Sequence, residues 1–184
     1  VYDDVVAMLK KNVEKLRIGA AETPGIQLGP VINERARQNI LNYIELGRTE
    51  SRLLSGGGPG DGEGYLIEPT IFVDVPSTAR IFQEEIFGPV LAVTKAASFE
   101  DALRLANDTE YGLTGAVYSR NQENIDRARR DFHVGNLYVN RKCTGAMVGA
   151  HPFGGFNMSG TDSKAGGPEY LLLYMQAKSI ATRM

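Results

Sequence analysis

Pro89-Val-Leu-Ala-Val-Thr94 is a short apolar run of the kind that a buried parallel strand uses, and the residues after it decide the fold. Ser98-Phe-Glu-Asp101 has the form of a capping box, opening a helix expected to turn Ala102, Leu105 and Ala106 inward. Gly115-Ala-Val-Tyr-Ser119 reads as a second strand, residues through Ile125, Ala128 and Phe132 as a second helix, and Leu137-Tyr-Val139 as a third strand. Strands that alternate with helices require crossover connections, so the expected class is α/β, with a mainly parallel sheet and flanking helices.

Outward from that core, toward the N-terminus, Tyr2, Val5, Val6, Leu9, Val13 and Leu16 recur at helical spacing, with Asp3 and Asp4 suited to the positive end of the helix dipole. Asn33 can cap a second helix with Ala36, Ile40, Tyr43 and Ile44 on its apolar stripe, and Gly47 stands where such a helix would stop. Ser55-Gly-Gly-Gly-Pro-Gly-Asp-Gly-Glu-Gly64 invites comparison with a phosphate-binding loop. No Gly-Lys-Ser/Thr follows it and the next residues are strand-like, so it is expected to be a flexible surface connection. Tyr65-Leu-Ile67 and Thr70 to Val75 read as extended. Toward the C-terminus, residues 140–167 are long, irregular and rich in Gly, Ser, Thr and Asn. Lying just beyond a parallel strand, they fall where open α/β sheets place ligands. Pro168 is suited to open a helix from Tyr170 to Met175, and Lys178 to Thr182 to form a terminal strand.

Composition narrows the functions. A chain of 184 residues with 42% hydrophobic content can bury one compact core without disulfides or metal. Twenty basic residues against twenty-two acidic ones leave a charge of −2, which gives no general attraction to nucleic acid or to an anionic membrane. The expected partners are small molecules and other protein chains. One cysteine and two histidines exclude an internal disulfide and leave little for zinc, so no metal is expected. No apolar run reaches the ~20 residues that span a bilayer, and Val1 opens directly into a helical pattern. A reducing compartment is therefore expected: the cytoplasm, or the mitochondrial matrix if the source is eukaryotic.

Two groups stand out chemically. Cys143 is the obvious nucleophile, flanked by Arg141 and Lys142, which would favour its thiolate. No His or Glu follows at a spacing that identifies an activating base, and it is read as a structural or incidental thiol. Glu84 and Glu85 precede Ile86-Phe-Gly-Pro-Val90. Adjacent carboxylates in a turn are commonly just solvated; equally, a carboxylate can accept two hydrogen bonds from a ribose diol while an aromatic such as Phe87 packs on a nicotinamide ring. Spacing alone leaves both readings open.

Gln83-Glu-Glu-Ile-Phe-Gly-Pro-Val90, then Ala106-Asn-Asp-Thr-Glu-Tyr-Gly-Leu-Thr114, Gly135-Asn-Leu-Tyr-Val-Asn140, and Pro152-Phe-Gly-Gly-Phe156 with Ser159-Gly160 together resemble the aldehyde dehydrogenase superfamily, in that family's order and over essentially the whole chain. Asn140 to Gly149, His151 to Gly155 and Met158 to Pro168 are similar to the branch acting on glutamate 5-semialdehyde, the open form of pyrroline-5-carboxylate. The Ser-Gly-Thr continuation at 159–161 departs from the Ser-Gly-x-Gly of many other members.

The resemblance implies NAD as cofactor, with Glu85 on the nicotinamide ribose and Phe87 beside it. It implies an aldehyde substrate bearing a carboxylate, held by backbone amides at Gly145 and Ala146, with Phe153 near the aldehyde. It further implies a catalytic-domain portion over residues 1–177, a terminal strand over 178–184 that pairs with another subunit, and hence a homo-oligomer. The family's nucleophile and general base lie in Gly-Gln-x-Cys and Glu-Leu-Gly-Gly types of segment, neither of which occurs here, and Cys143 does not match the nucleophile. The chain alone is thus expected to be inactive, part of a larger enzyme. An aldehyde dehydrogenase of different specificity and a non-catalytic interaction module are the alternative readings.

Overall fold

The structure, a computed structural model, describes residues 1–62, 64–144, 147, 151, 153–160 and 167–183. The chain forms two compact units, Val1–Ala96 and Ala97–Met184, where composition pointed to one; length fixes how much core can be buried but not how it is divided. Both units combine helices with strands, as an α/β chain should.

The first unit begins with α1 (Tyr2–Val13), none of whose residues is buried. Its tie to the sheet is polar: the Tyr2 hydroxyl donates to Asp74 Oδ1 at 2.9 Å and accepts from the Asp74 amide at 3.0 Å, while Arg52 grips the same carboxylate. Helix α2 (Glu34–Glu50) starts as its sequence indicates, Asn33 Oδ1 accepting from the Ala36 amide at 2.8 Å. It does not stop at Gly47. That residue is buried inside the helix, and a Cβ there would lie 2.7 Å from the ring of Phe72. Glycine lets helix and strand approach closely here, and the helix runs on to Glu50.

Strands β1 (Arg52–Ser55), β2 (Thr70–Val73) and β3 (Val90–Ala92) form one sheet in that order, β1 antiparallel and β3 parallel to β2. The run at Pro89–Thr94 is thus a parallel strand, but the fully buried one is its neighbour β2; Leu91 on β3 is exposed. Ile40, Ile44, Ile67, Phe72, Val75, Ile81 and Ile86 make the core between α2, the sheet and the short helix α3 (Arg80–Gln83). A side chain as fully buried as Phe72 contributes on the order of 1.5–3 kcal/mol. The glycine-rich connection is pinned rather than loose. Arg48 donates to the Gly57 carbonyl at 2.7 Å, the Gly57 amide to Thr70 Oγ1 at 3.0 Å, and the Gly60 amide to the Leu66 carbonyl at 3.0 Å, so the connection continues the β1–β2 hairpin. Its glycines supply the turns: Gly56 and Gly57 have φ of 70° and 104°.

The second unit contains α4 (Phe99–Asn107), β4 (Tyr111–Gly112), β5 (Thr114–Val117), α5 (Gln122–Asp131), β6 (Asn136–Val139), β7 (Phe156–Asn157) and a 3-10 helix, Tyr170–Tyr174, shorter and tighter than the helix expected there. Ser98 caps α4, its Oγ accepting from the Asp101 amide at 3.1 Å. Its buried residues are Leu103 and Leu105; Ala102 and Ala106 instead line a hollow of about 210 Å³ with Phe99, Ala116 and Phe132, their methyl groups being too short to fill it. Strands β5 and β6 run parallel around α5, the crossover read from sequence, whereas β4 and β7 are antiparallel. Parallel and antiparallel pairings are thus equal in number in the chain as described. Residues 178–182, expected to form a terminal strand, are not part of any strand among the described residues, where they have no partner to pair with. No described helix is long and apolar enough to cross a membrane.

Candidate cofactor and substrate residues

The turn after α3 separates two carboxylates that sequence alone could not. Glu84 accepts from Arg80 Nε at 2.7 Å and Arg80 Nη2 at 2.9 Å, and from the Tyr43 hydroxyl at 2.5 Å. The guanidinium first, then the phenol, hold its carboxyl down at about 2, while the Glu84 hydrogen bond pushes the Tyr43 phenol up. Glu85, the next residue, is exposed and has no ion-pair partner among the described residues. Ile86 is again buried, Phe87 is 84% exposed, and a Cβ on Gly88 would meet Ile40 at 2.7 Å. The side chain of Ile86 and the Cα face of Gly88 therefore lie against the protein, with Glu84 held by Arg80 and Tyr43, while the side chains of 85 and 87 face out. Phe87 has φ of 58°, a left-handed conformation uncommon for a bulky residue, held in place by the anchored positions on either side. The turn thus exposes, two positions apart, a carboxylate, which can accept from a diol, and an aromatic ring, which can pack on a flat ring.

In the second unit, the expected substrate residues come after β6. Asn140, with φ of 54°, accepts from the Ser119 amide at 2.9 Å and donates to its carbonyl at 3.0 Å, tying together the carboxyl ends of β5 and β6. Arg141 lies over the Tyr138 ring at 5.3 Å and donates to Thr144 Oγ1 at 2.9 Å. Cys143 is exposed. Gly145 and Ala146 lie outside the described residues. Phe153 is half-buried, next to a junction where the remaining motif residues meet.

At that junction the Gly112 amide donates to Ser159 Oγ at 3.0 Å and the Gly135 amide to the Gly112 carbonyl at 3.0 Å. Asn107 accepts from the His133 amide at 2.9 Å and donates to the Asp131 carbonyl at 2.6 Å, and the rings of His133 and Phe156 stack at 5.5 Å. A Cβ on Gly135 would fall 1.7 Å from the Gly154 carbonyl oxygen. These residues are held by close packing and by hydrogen bonds to one another. Sequence reasoning also missed Glu84 as an anchor, for which Arg80 four residues earlier was the available signal.

The family model described as the aldehyde dehydrogenase family matches residues 1–180, and the chain belongs to that family. It is 56% identical over 181 residues to the 1-pyrroline-5-carboxylate dehydrogenase of Bacillus licheniformis and 58% identical over 179 residues to that of Bacillus subtilis. The alignments cover 98% and 97% of this chain but 35% of each relative. A solved 1-pyrroline-5-carboxylate dehydrogenase from Thermus with bound NAD superposes with a TM-score of 0.95 at 52% identity, covering all of this chain and 35% of that one. Proline utilization A from Bdellovibrio bacteriovorus superposes with a TM-score of 0.90 at 49% identity over 96% of this chain and 18% of its own. The chain thus spans 35% of the length of the curated relatives it matches.

Proposed function

We propose that a full-length protein carrying this chain oxidises glutamate 5-semialdehyde, formed by opening of 1-pyrroline-5-carboxylate, to glutamate. Aldehyde, NAD and water would give carboxylic acid, NADH and a proton. The observation that carries this reading is the alternating turn: Glu85 and Phe87 are presented outward by neighbours that are themselves fixed. Relatives that share more than half of the chain's residues and are named for this activity support it.

NAD, when bound, accepts the hydride. Of this chain's residues, Glu85 accepts from the ribose hydroxyls and Phe87 packs beside the nicotinamide. Amides at Gly145 and Ala146 hold the substrate's carboxylate, since a loop of small residues can present backbone donors without an intervening side chain, and Phe153 lines the aldehyde pocket. The nucleophile lies outside these 184 residues, because Cys143 does not occupy the family's nucleophile motif. A catalytic-domain portion over 1–177, a strand over 178–184 that pairs with a second copy, a homo-oligomeric state and a cytoplasmic location complete the proposal.

The test monitors NAD reduction by the full-length protein. Glutamate semialdehyde should be strongly preferred over a short uncharged aldehyde, and Ala146→Asp should abolish most of that preference because the new carboxylate repels the substrate's own. Equal use of both aldehydes before and after the substitution would refute the substrate assignment. The 184-residue chain alone should reduce no NAD, and Cys143→Ser should leave full-length turnover unchanged; activity of the chain that this substitution abolishes would make Cys143 the nucleophile instead.

A further inference from the structure

We propose that Arg80, Tyr43 and Glu84 form a positioning clamp that fixes the backbone from which Glu85 reaches the cofactor, an inference that rests on the cofactor role proposed for Glu85. Each member of the clamp comes from a different place in the first unit. Tyr43 stands on α2, among the residues packed against the core. Arg80 opens α3, where its own amide and that of Ile81 donate to the Glu50 carboxylate at 3.1 and 3.3 Å, so a residue at the end of α2 holds the start of α3. From there the Arg80 guanidinium grips Glu84 through two nitrogens while its carbon lies 5.8 Å from the centre of the Tyr43 ring. Glu84 is therefore reached from both helices, and the peptide after it begins the exposed residue Glu85.

The geometry explains why two adjacent carboxylates do different work. A bidentate guanidinium contact fixes orientation as well as distance, which a solvated carboxylate lacks. On the far side, buried Ile86 and Gly88 against Ile40 complete the hold, and the backbone between is carried into the left-handed region at Phe87. Such a conformation persists only where its surroundings over-determine it. Loosening Glu84 would let the turn relax, and an acceptor displaced by even an ångström loses much of its effect on a reacting ring. Neither Arg80, Tyr43 nor Glu84 is asked to touch the cofactor; they act through Glu85.

In the full-length enzyme, Arg80→Ala, Glu84→Gln and Tyr43→Phe should each raise the KM for NAD or slow hydride transfer roughly three- to tenfold, the worth of one modest hydrogen bond, with the semialdehyde KM unmoved. Arg80→Lys should recover part of the loss, since a point charge keeps the ion pair and forfeits the fork. Combining Arg80→Ala with Glu85→Gln should be no worse than Glu85→Gln alone, as expected when one residue acts through the other. Tyr43→Phe removes a single oxygen and keeps the test open if Arg80→Ala fails to fold. If the three single variants keep wild-type NAD kinetics while Glu85→Gln is impaired, the clamp serves stability alone and the inference fails with the Glu85 reading intact. Additive losses in the double variant would overturn it as well. A silent Glu85→Gln would defeat the Glu85 reading itself, and the inference with it.

Discussion

The turn at 84–88 and the junction around Gly112, Gly135 and Gly154 are equally rich in family motif, yet they use it in opposite ways. In the turn, alternate residues are anchored so that the ones between, Glu85 and Phe87, stand exposed. At the junction, glycines are present because backbone already occupies the space where a side chain would go: a Cβ on Gly135 would lie 1.7 Å from a carbonyl oxygen and one on Gly112 2.5 Å from another. One motif exposes a carboxylate and a ring, and the other permits packing. What separates them is not motif strength but what surrounds each residue.

The sharpest way to break this contrast is Gly135→Ala. Backbone cannot move aside as a flexible side chain can, and a loss of about 3–5 kcal/mol, or failure of the second unit to fold, should appear in denaturant unfolding. A change below about 1 kcal/mol would show that the junction is looser than its geometry indicates. Gly47→Ala should come next. Alanine gains up to about 1 kcal/mol of intrinsic helix propensity over glycine, but the Cβ meets the fully buried ring of Phe72, and net destabilisation of about 1–3 kcal/mol is expected. Stabilisation would mean the ring can retreat.

Phe87→Gly should act in the other direction and more weakly. Relief of the left-handed backbone is worth about 1 kcal/mol, so stability should hold or rise slightly while NAD use deteriorates, separating presentation from packing at one residue. The smallest effect is acidic. Glu84 has a carboxyl lowered from its ordinary 4.5 to about 2, so its contribution to stability is fully present above 4.5 and is lost as pH falls through about 2. The difference in Tm between the native protein and Glu84→Gln should accordingly be constant above pH 5, roughly, and shrink below it. A difference independent of pH down to about 2 would detach Glu84 from Arg80.

Local signals carried much of the fold. Asn33 and Ser98 accept from the helix amides as N-caps do, although Asp101 returns its bond to the Ala97 amide and not to that of Ser98 as a capping box would, and the crossover from β5 through α5 to β6 obeys the spacing of Ile125, Ala128 and the flanking strands. Non-local contacts were less legible. Gly47 resembles a helix stop until Phe72, twenty-five positions on, is brought against it. The glycine-rich connection resembles a loose loop until Arg48 and Thr70 pin it. Ala102 and Ala106 have the right spacing for an inner face, but burial goes to the larger Leu103 and Leu105. At the turn after α3, Glu84 and Glu85 are one residue type, and only the positions of Arg80 and Tyr43 distinguish them.

The most direct measurement is single-turnover hydride transfer in the full-length enzyme with Glu85→Gln, at saturating semialdehyde and over a range of NAD concentrations. Loss of a charge-assisted hydrogen bond to the ribose should slow transfer or weaken NAD use by roughly ten- to a hundredfold, with the affinity for semialdehyde unchanged. Wild-type transfer at every NAD concentration would show that Glu85 is solvated surface, and would contradict the role of the turn as the element that presents it.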